Sequence, residues 1–129
     1  MKSQVLCICG NRDEARKLSE MLDTVPVALE HARTLAQART RLRNTDFEVI
    51  LTDSAFPGGT WLDVLHLARE GTREIRVIVT DPQADARFWA EALNLGAFDL
   101  LTQPFDEYEV QRIVQNACAR VATAGASRF

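Results

Sequence analysis

Asp53, Thr80 and Gln103 each stand at the end of a short apolar run. If those runs are strands of one parallel sheet, a carboxylate, a hydroxyl and an amide meet in one shallow cleft. Each residue also has a plain structural use. Asp53 can cap a loop, and Thr80 and Thr102 can end strands with satisfied hydroxyls. The thiols are the other reactive groups. Cys7 and Cys9 lie two apart and so point to the same face of a strand. Two such thiols make no tetrahedral metal site alone, and His31 and His66 belong to other segments. Core packing suits Cys7. Cys9, at the mouth of the cleft, is the thiol to test for redox reactivity. With Cys118 the cysteines number three, an odd count that argues against a disulfide framework.

The elements that must position these groups are legible as two alternating patterns. Continuous apolar runs at Val5 to Cys9, Phe47 to Thr52, Ile75 to Thr80 and Phe98 to Thr102 read as strands buried on both faces, with a weaker one near Val25 to His31. Between them lie helical stripes: Ala15, Leu18 and Leu22; Leu35, Ala38 and Leu42; Leu62, Leu65 and Ala68; Ala86, Trp89 and Leu93; Val110, Ile113, Ala117 and Val121. Asn11 or Asp13 can cap the first helix and Thr34 the second. Thr60 with Asp63 fits a capping box for the third, and Gly96 suits the end of the fourth. Neighbouring Phe88 and Trp89 cannot both face the core, so one aromatic is expected at the surface. A strand–helix unit repeated five times implies a parallel sheet covered by helices on both faces.

Composition narrows the function. The chain is 47% hydrophobic, which excludes disorder, yet its apolar runs reach only about six residues, too short to span a bilayer. Net charge is −3, and Lys2 and Lys17 are the sole lysines, so no basic stripe for nucleic acid exists. No signal-peptide pattern is present, and the chain reads as cytoplasmic. A flavin-type phosphate cradle would need a loop rich in Ser, Thr and Gly after the first strand, and Cys9 to Glu14 is not one.

The segment from Val49 through Asp53 to Pro57 and Gly58 resembles the phosphoacceptor segment of response-regulator receiver domains. Val77-Ile78-Val79-Thr80 is similar to their fourth strand, and Gly96-Ala97-Phe98-Asp99-Leu100-Leu101-Thr102-Gln103-Pro104-Phe105 to their fifth. The intervals of 27 residues from Asp53 to Thr80 and 23 from Thr80 to Gln103 also fit. The resemblance implies an α/β fold: a three-layer α/β/α sandwich on a five-stranded parallel sheet of order 2-1-3-4-5, flavodoxin-like. It implies a receiver domain over residues 1–121, with 122–129 a tail or a cut linker. It assigns Asp53 to the phosphoacceptor position, Thr80 to the switch threonine and Pro104 to a cis-proline.

Other family positions are altered. The acidic pair that helps hold Mg²⁺ falls within Cys9, Gly10 and Asn11, none a carboxylate, leaving with Asp53 a degenerate metal site. Asp13, in the first helical turn, is expected to point away. The lysine that pairs with phosphoryl oxygens is Gln103. The aromatic switch is Leu100, which has no polar tip. Trp61 replaces a usual glycine in the loop before helix 3. Arg12 or Arg87 could lend charge from loops. The implied function is an atypical receiver in two-component phosphorelay signalling, a protein-interaction module and not an enzyme, with no cofactor. The alternative is a working aspartyl-phosphate receiver that dephosphorylates itself. The partner would be a histidine kinase or an output domain, met through the helix 4–strand 5–helix 5 face, with a homodimer as another use of that face. The Gly-Ala-Phe-Asp wording is closest to receivers fused to transcriptional activators.

Overall fold

The structure, a computed structural model, describes residues 2–83 and 85–123. Five parallel strands form the main sheet: β1 (Ser3–Ile8), β2 (Val27–Ala32), β3 (Val49–Asp53), β6 (Arg76–Asp81) and β7 (Asp99–Thr102). Between β3 and β6 lies a two-strand hairpin, β4 (Ala55–Phe56) with β5 (Gly59–Thr60). The helices are α1 (Arg12–Met21), α2 (Leu35–Asn44), α3 (Trp61–Arg69), α4 (Ala86–Leu95) and α5 (Glu107–Thr123). The sheet order is β2-β1-β3-β6-β7. Numbered by the main sheet alone, that is the expected order 2-1-3-4-5. The hairpin was not expected; its antiparallel pair closes over Gly58, whose φ of +91° suits glycine.

The strands form where apolar residues run without alternation, because both faces of the sheet are covered. Val5, Cys7, Val49, Leu51 and Ile78 face α1 and α5. Leu6, Ile8, Ile50, Val77 and Val79 face α2, α3 and α4. Each helix opens on a side chain that accepts a backbone N–H: Asn11, Thr34, Thr60, Asp85 and Asp106. Thr60 and Asp63 complete the capping box, and Gly96 closes α4 at φ +118°. The stripes of α1 and α2 face inward as expected.

Two helices are rotated from the expected phase. In α3 the buried set is Trp61, Val64, Leu65, Leu67 and Ala68, while Leu62 is exposed. In α4 Ala92 is buried and Phe88 packs edge-on against Trp61 at 5.6 Å, leaving Trp89 and Leu93 outside. Trp61 is thus not in the loop before α3; it is the first residue of that helix and belongs to the core. The helix α5 runs through Thr123, so it takes in the first two positions of the expected tail. The rest of that tail, 124–129, lies outside the described residues, as does the side chain of Val121 from the α5 stripe.

Candidate functional site

The sheet register builds the site. Asp53 at the end of β3 pairs with Thr80 on β6, and the Thr80 Oγ1 hydroxyl donates to Asp53 Oδ1 at 3.0 Å. On the other side, Ile8 pairs with Thr52, which carries Cys9 up beside Asp53. His31 on β2 bonds the Cys9 carbonyl oxygen at 2.8 Å and pins the end of β1. Gln103 follows β7, and its peptide bond to Pro104 is cis. Glu14, Asp53, Ser54, Thr80, Asp81 and Gln103 are among the walls of a cleft of about 340 Å³.

Glu14 is the residue that sequence reasoning missed. It sits in the first turn of α1, and Cys9 Sγ donates to its Oε1 at 3.2 Å. Ligand atoms of Cys9, Glu14 and Asp53 all lie within 4.8 Å of one another. A signal existed: Glu14, Leu18 and Leu22 fall at i, i+4 and i+8, on the inward stripe of α1. Asp13 turns outward and pairs with Arg16 at 3.0 Å, as expected. The site therefore holds more acid than Asp53 alone.

Electrostatics follow from this crowding. Burial pushes the Asp53 carboxyl above its ordinary range; bonds from Thr80, Cys9 and the Gly10 N–H pull the other way, and Glu14 adds to the rise. Burial also drives the Cys9 thiol far up, helped by the nearby carboxylates. Its side chain is enclosed, at 1% exposure, with its hydrogen directed to Asn11 O and Glu14. Cys9 is thus enclosed and not open at the cleft mouth, and a protonated, enclosed thiol is a poor redox centre. Cys7 is a core residue whose thiol is pushed up to about 12 by burial. Asp81 accepts from Ser54 Oγ at 2.6 Å and from Gln83 N–H at 2.7 Å.

Among the described residues lining the cleft none is Lys or Arg. Arg12 lines a separate cleft at the β2 edge with His31, Arg33 and Arg41, and Arg87 lies exposed on α4. Neither supplies the charge that Gln103 lacks. Leu100 is buried in the core under α3 and α4.

Mg²⁺ is the ion the resemblance implies. That ion demands near-octahedral oxygen ligation. Cys9 offers sulfur, and Gly10 offers no side chain. The Asn11 oxygen is engaged in capping α1, at 2.8 Å from Asp13 N and 3.3 Å from Glu14 N. Position 10 is closed as well: a Cβ there would come 2.9 Å from Pro57 Cδ. Glu14 and Asp53 are hard ligands, but the thiol fills the third corner of their cluster. The set does not fit Mg²⁺.

Known proteins agree with this architecture. The sequence is 28% identical over 118 residues to the response regulator protein PilR of Pseudomonas aeruginosa, covering 91% of this chain and 26% of that protein. It is 33% identical over 76 residues to the transcriptional regulatory protein FixJ of Azorhizobium caulinodans, covering 59% and 36%. The chain thus spans about a quarter to a third of the length of these relatives. In fold it is similar to the signal receiver domain of a protein described as a Luxo repressor from Vibrio parahaemolyticus (TM-score 0.90, 17% identity, 100% and 99% coverage). A beryllofluoride-activated NtrC4 receiver domain dimer is similar too (TM-score 0.83, 22% identity, 92% and 98% coverage). Residues 5–115 match the response regulator receiver domain as a family. With a sheet, a Asp53–Thr80 pair and a sequence match of that extent, the chain belongs to the response regulator receiver domain family of two-component signalling.

Proposed function

We propose that this receiver domain regulates by protein contact and that its Asp53 site works without Mg²⁺-dependent phosphorylation. The observation that carries the reading is the charge of the cleft. Glu14, Asp53 and Asp81 line it with no Lys or Arg among its described lining residues, and Gln103 holds the position of the family's lysine. Phosphorylating Asp53 would replace its single carboxylate charge with a phosphoryl group carrying about two. Phosphoryl transfer depends on neutralising charge spread over its oxygens, and each missing partner costs a few kcal/mol. Leu100 adds to the argument, because a buried aliphatic side chain cannot alternate between two hydrogen-bonded states.

On this reading the domain is a cytoplasmic signalling module, not an enzyme, and contacts no nucleic acid itself. Its partner is a histidine kinase or the output domain of the same protein, held against the face of α4, β7 and α5. Trp89 and Leu93 lie one turn apart on α4, 46% and 45% exposed, and Tyr108 on α5 is exposed as well. A homodimer through the same face is the other use of it; the similar NtrC4 receiver domain is itself a dimer. Incubation with acetyl phosphate and Mg²⁺ tests the site. The intact mass is expected to stay unchanged. A stoichiometric adduct that Asp53→Ala removes would overturn the reading.

One contact favours a second reading, a phosphoacceptor with altered chemistry. Thr80 already bonds Asp53 at 3.0 Å, and Glu14 supplies a second carboxylate. This reading expects Mg²⁺ and beryllofluoride to bind, and flat titrations of both would end it.

A further inference from the structure

We propose that Cys9, Glu14 and Asp53 form a site for a thiophilic divalent cation, Zn²⁺, where the family's fold would hold Mg²⁺. The inference rests on the reading that Mg²⁺ is not this site's ion. Three chain segments converge on the site: the end of β1, the first turn of α1 and the end of β3. Their sulfur and carboxylate donors lie within 4.8 Å of one another. Three protein ligands of S and O type, plus an open fourth position, match a Zn²⁺ site; Mg²⁺ has no use for the sulfur.

The surroundings supply what such a site needs beyond ligands. Thr80 Oγ1 donates to Asp53 Oδ1 and orients that carboxylate. His31 fixes the Cys9 backbone. The Asn11 carbonyl oxygen lies 3.1 Å from Cys9 Sγ, a neutral oxygen beside the cluster. The cleft on which Glu14 and Asp53 open gives an entry path for ion and water. Charge argues the same way. A thiol and two carboxylates carry about −2, and exchanging the thiol proton for a divalent cation leaves −1 in a cleft whose described lining has no Lys or Arg. Binding is a proton exchange: the hydrogen that Cys9 shares with Glu14 leaves to solvent, and the sulfur lone pair takes the metal in its place.

Co²⁺ provides the readout, because a thiolate-to-Co²⁺ charge-transfer band in the near ultraviolet reports sulfur ligation directly. Titrating the full chain with Co²⁺ is expected to raise one such band at one ion per chain, and Zn²⁺ is expected to erase it. Cys9→Ser should abolish the band while Cys7→Ser and Cys118→Ser keep it. Glu14→Gln, at a half-buried position, should weaken Co²⁺ binding at least about tenfold with the far-ultraviolet spectrum unchanged. It carries the test if Cys9→Ser does not fold. The absence of a band, a band that survives Cys9→Ser, or equal affinity in Glu14→Gln overturns the proposal. Calorimetric Mg²⁺ titration separates the two readings. Mg²⁺ that binds and competes with Co²⁺ overturns both. Flat Mg²⁺ and Co²⁺ titrations overturn the Zn²⁺ site alone.

Discussion

At Asp53 the fold keeps a carboxylate whose ionised form it disfavours, through burial first and the Glu14 charge besides. An acid with a raised native pKa favours folding while protonated. That contribution is complete below its unfolded value of about 3.9 and is lost as pH rises through the native value. Asp53→Asn keeps the oxygen that accepts from Thr80 and removes the charge. Its melting temperature should exceed that of the wild type at pH 7, and the gap should close as pH falls below about 3.9. Melts at both pH values check this; an equal gap at each would mean the gain is not electrostatic. The convergence of Asp53, Thr80 and Gln103 was legible because strand ends in a parallel sheet share one edge. Glu14 was harder to read. Which of Asp13 and Glu14 turns inward depends on the helix being capped at Asn11 and starting at Arg12, and a shift of one residue rotates every side chain by about 100°.

At the scale of elements, α3 and α4 meet through one aromatic pair. Phe88 stands edge-on to Trp61, whereas its neighbour Trp89 is exposed. Phe88→Ala should therefore cost about 2–3 kcal/mol, and Trp89→Ala no more than about 0.5 kcal/mol, in urea denaturation. Comparable costs would mean that α4 is rotated. Gly96→Ala should cost about 1–2 kcal/mol, since its φ is +118° and a Cβ would collide with the Arg69 guanidinium that bonds the Leu95 carbonyl. The caps of these helices could be read from single polar residues, because a cap is a local bond. The phases of α3 and α4 could not. Apolar residues crowd positions 61, 62, 64, 65, 67 and 68 of α3, and positions 88, 89, 92, 93 and 95 of α4. Two faces then satisfy the same periodicity, and only packing against the sheet decides between them.

Across the whole molecule, the sheet divides the core into two apolar halves, and the three cysteines all lie in the half under α1 and α5. Cys7 is enclosed in β1, between β2 and β3, and its thiol is pushed up to about 12. No local opening reaches it without separating β1 from its covering helices. Thiol labelling of Cys7 should thus run about 10³-fold or more slower than in the unfolded chain, as ordinary domain stabilities of about 5 kcal/mol and above require. Mass spectrometry of labelled peptides across a urea series should find the Cys7 rate following global unfolding. Labelling at a rate insensitive to urea would show that the sheet opens locally.

The contact between position 10 and Pro57 bears on how this site could be rebuilt. Cys9→Asp places a carboxylate where a side chain already fits. Gly10→Asp does not, because its Cβ would meet the Pro57 ring at 2.9 Å, and a proline ring has little freedom to swing aside. An engineer restoring both acids must relieve position 57 first. Changed in the other order, the second acid arrives with a penalty of about 1–3 kcal/mol before it can serve any ion. The path back to a two-acid site thus has a preferred sequence of steps.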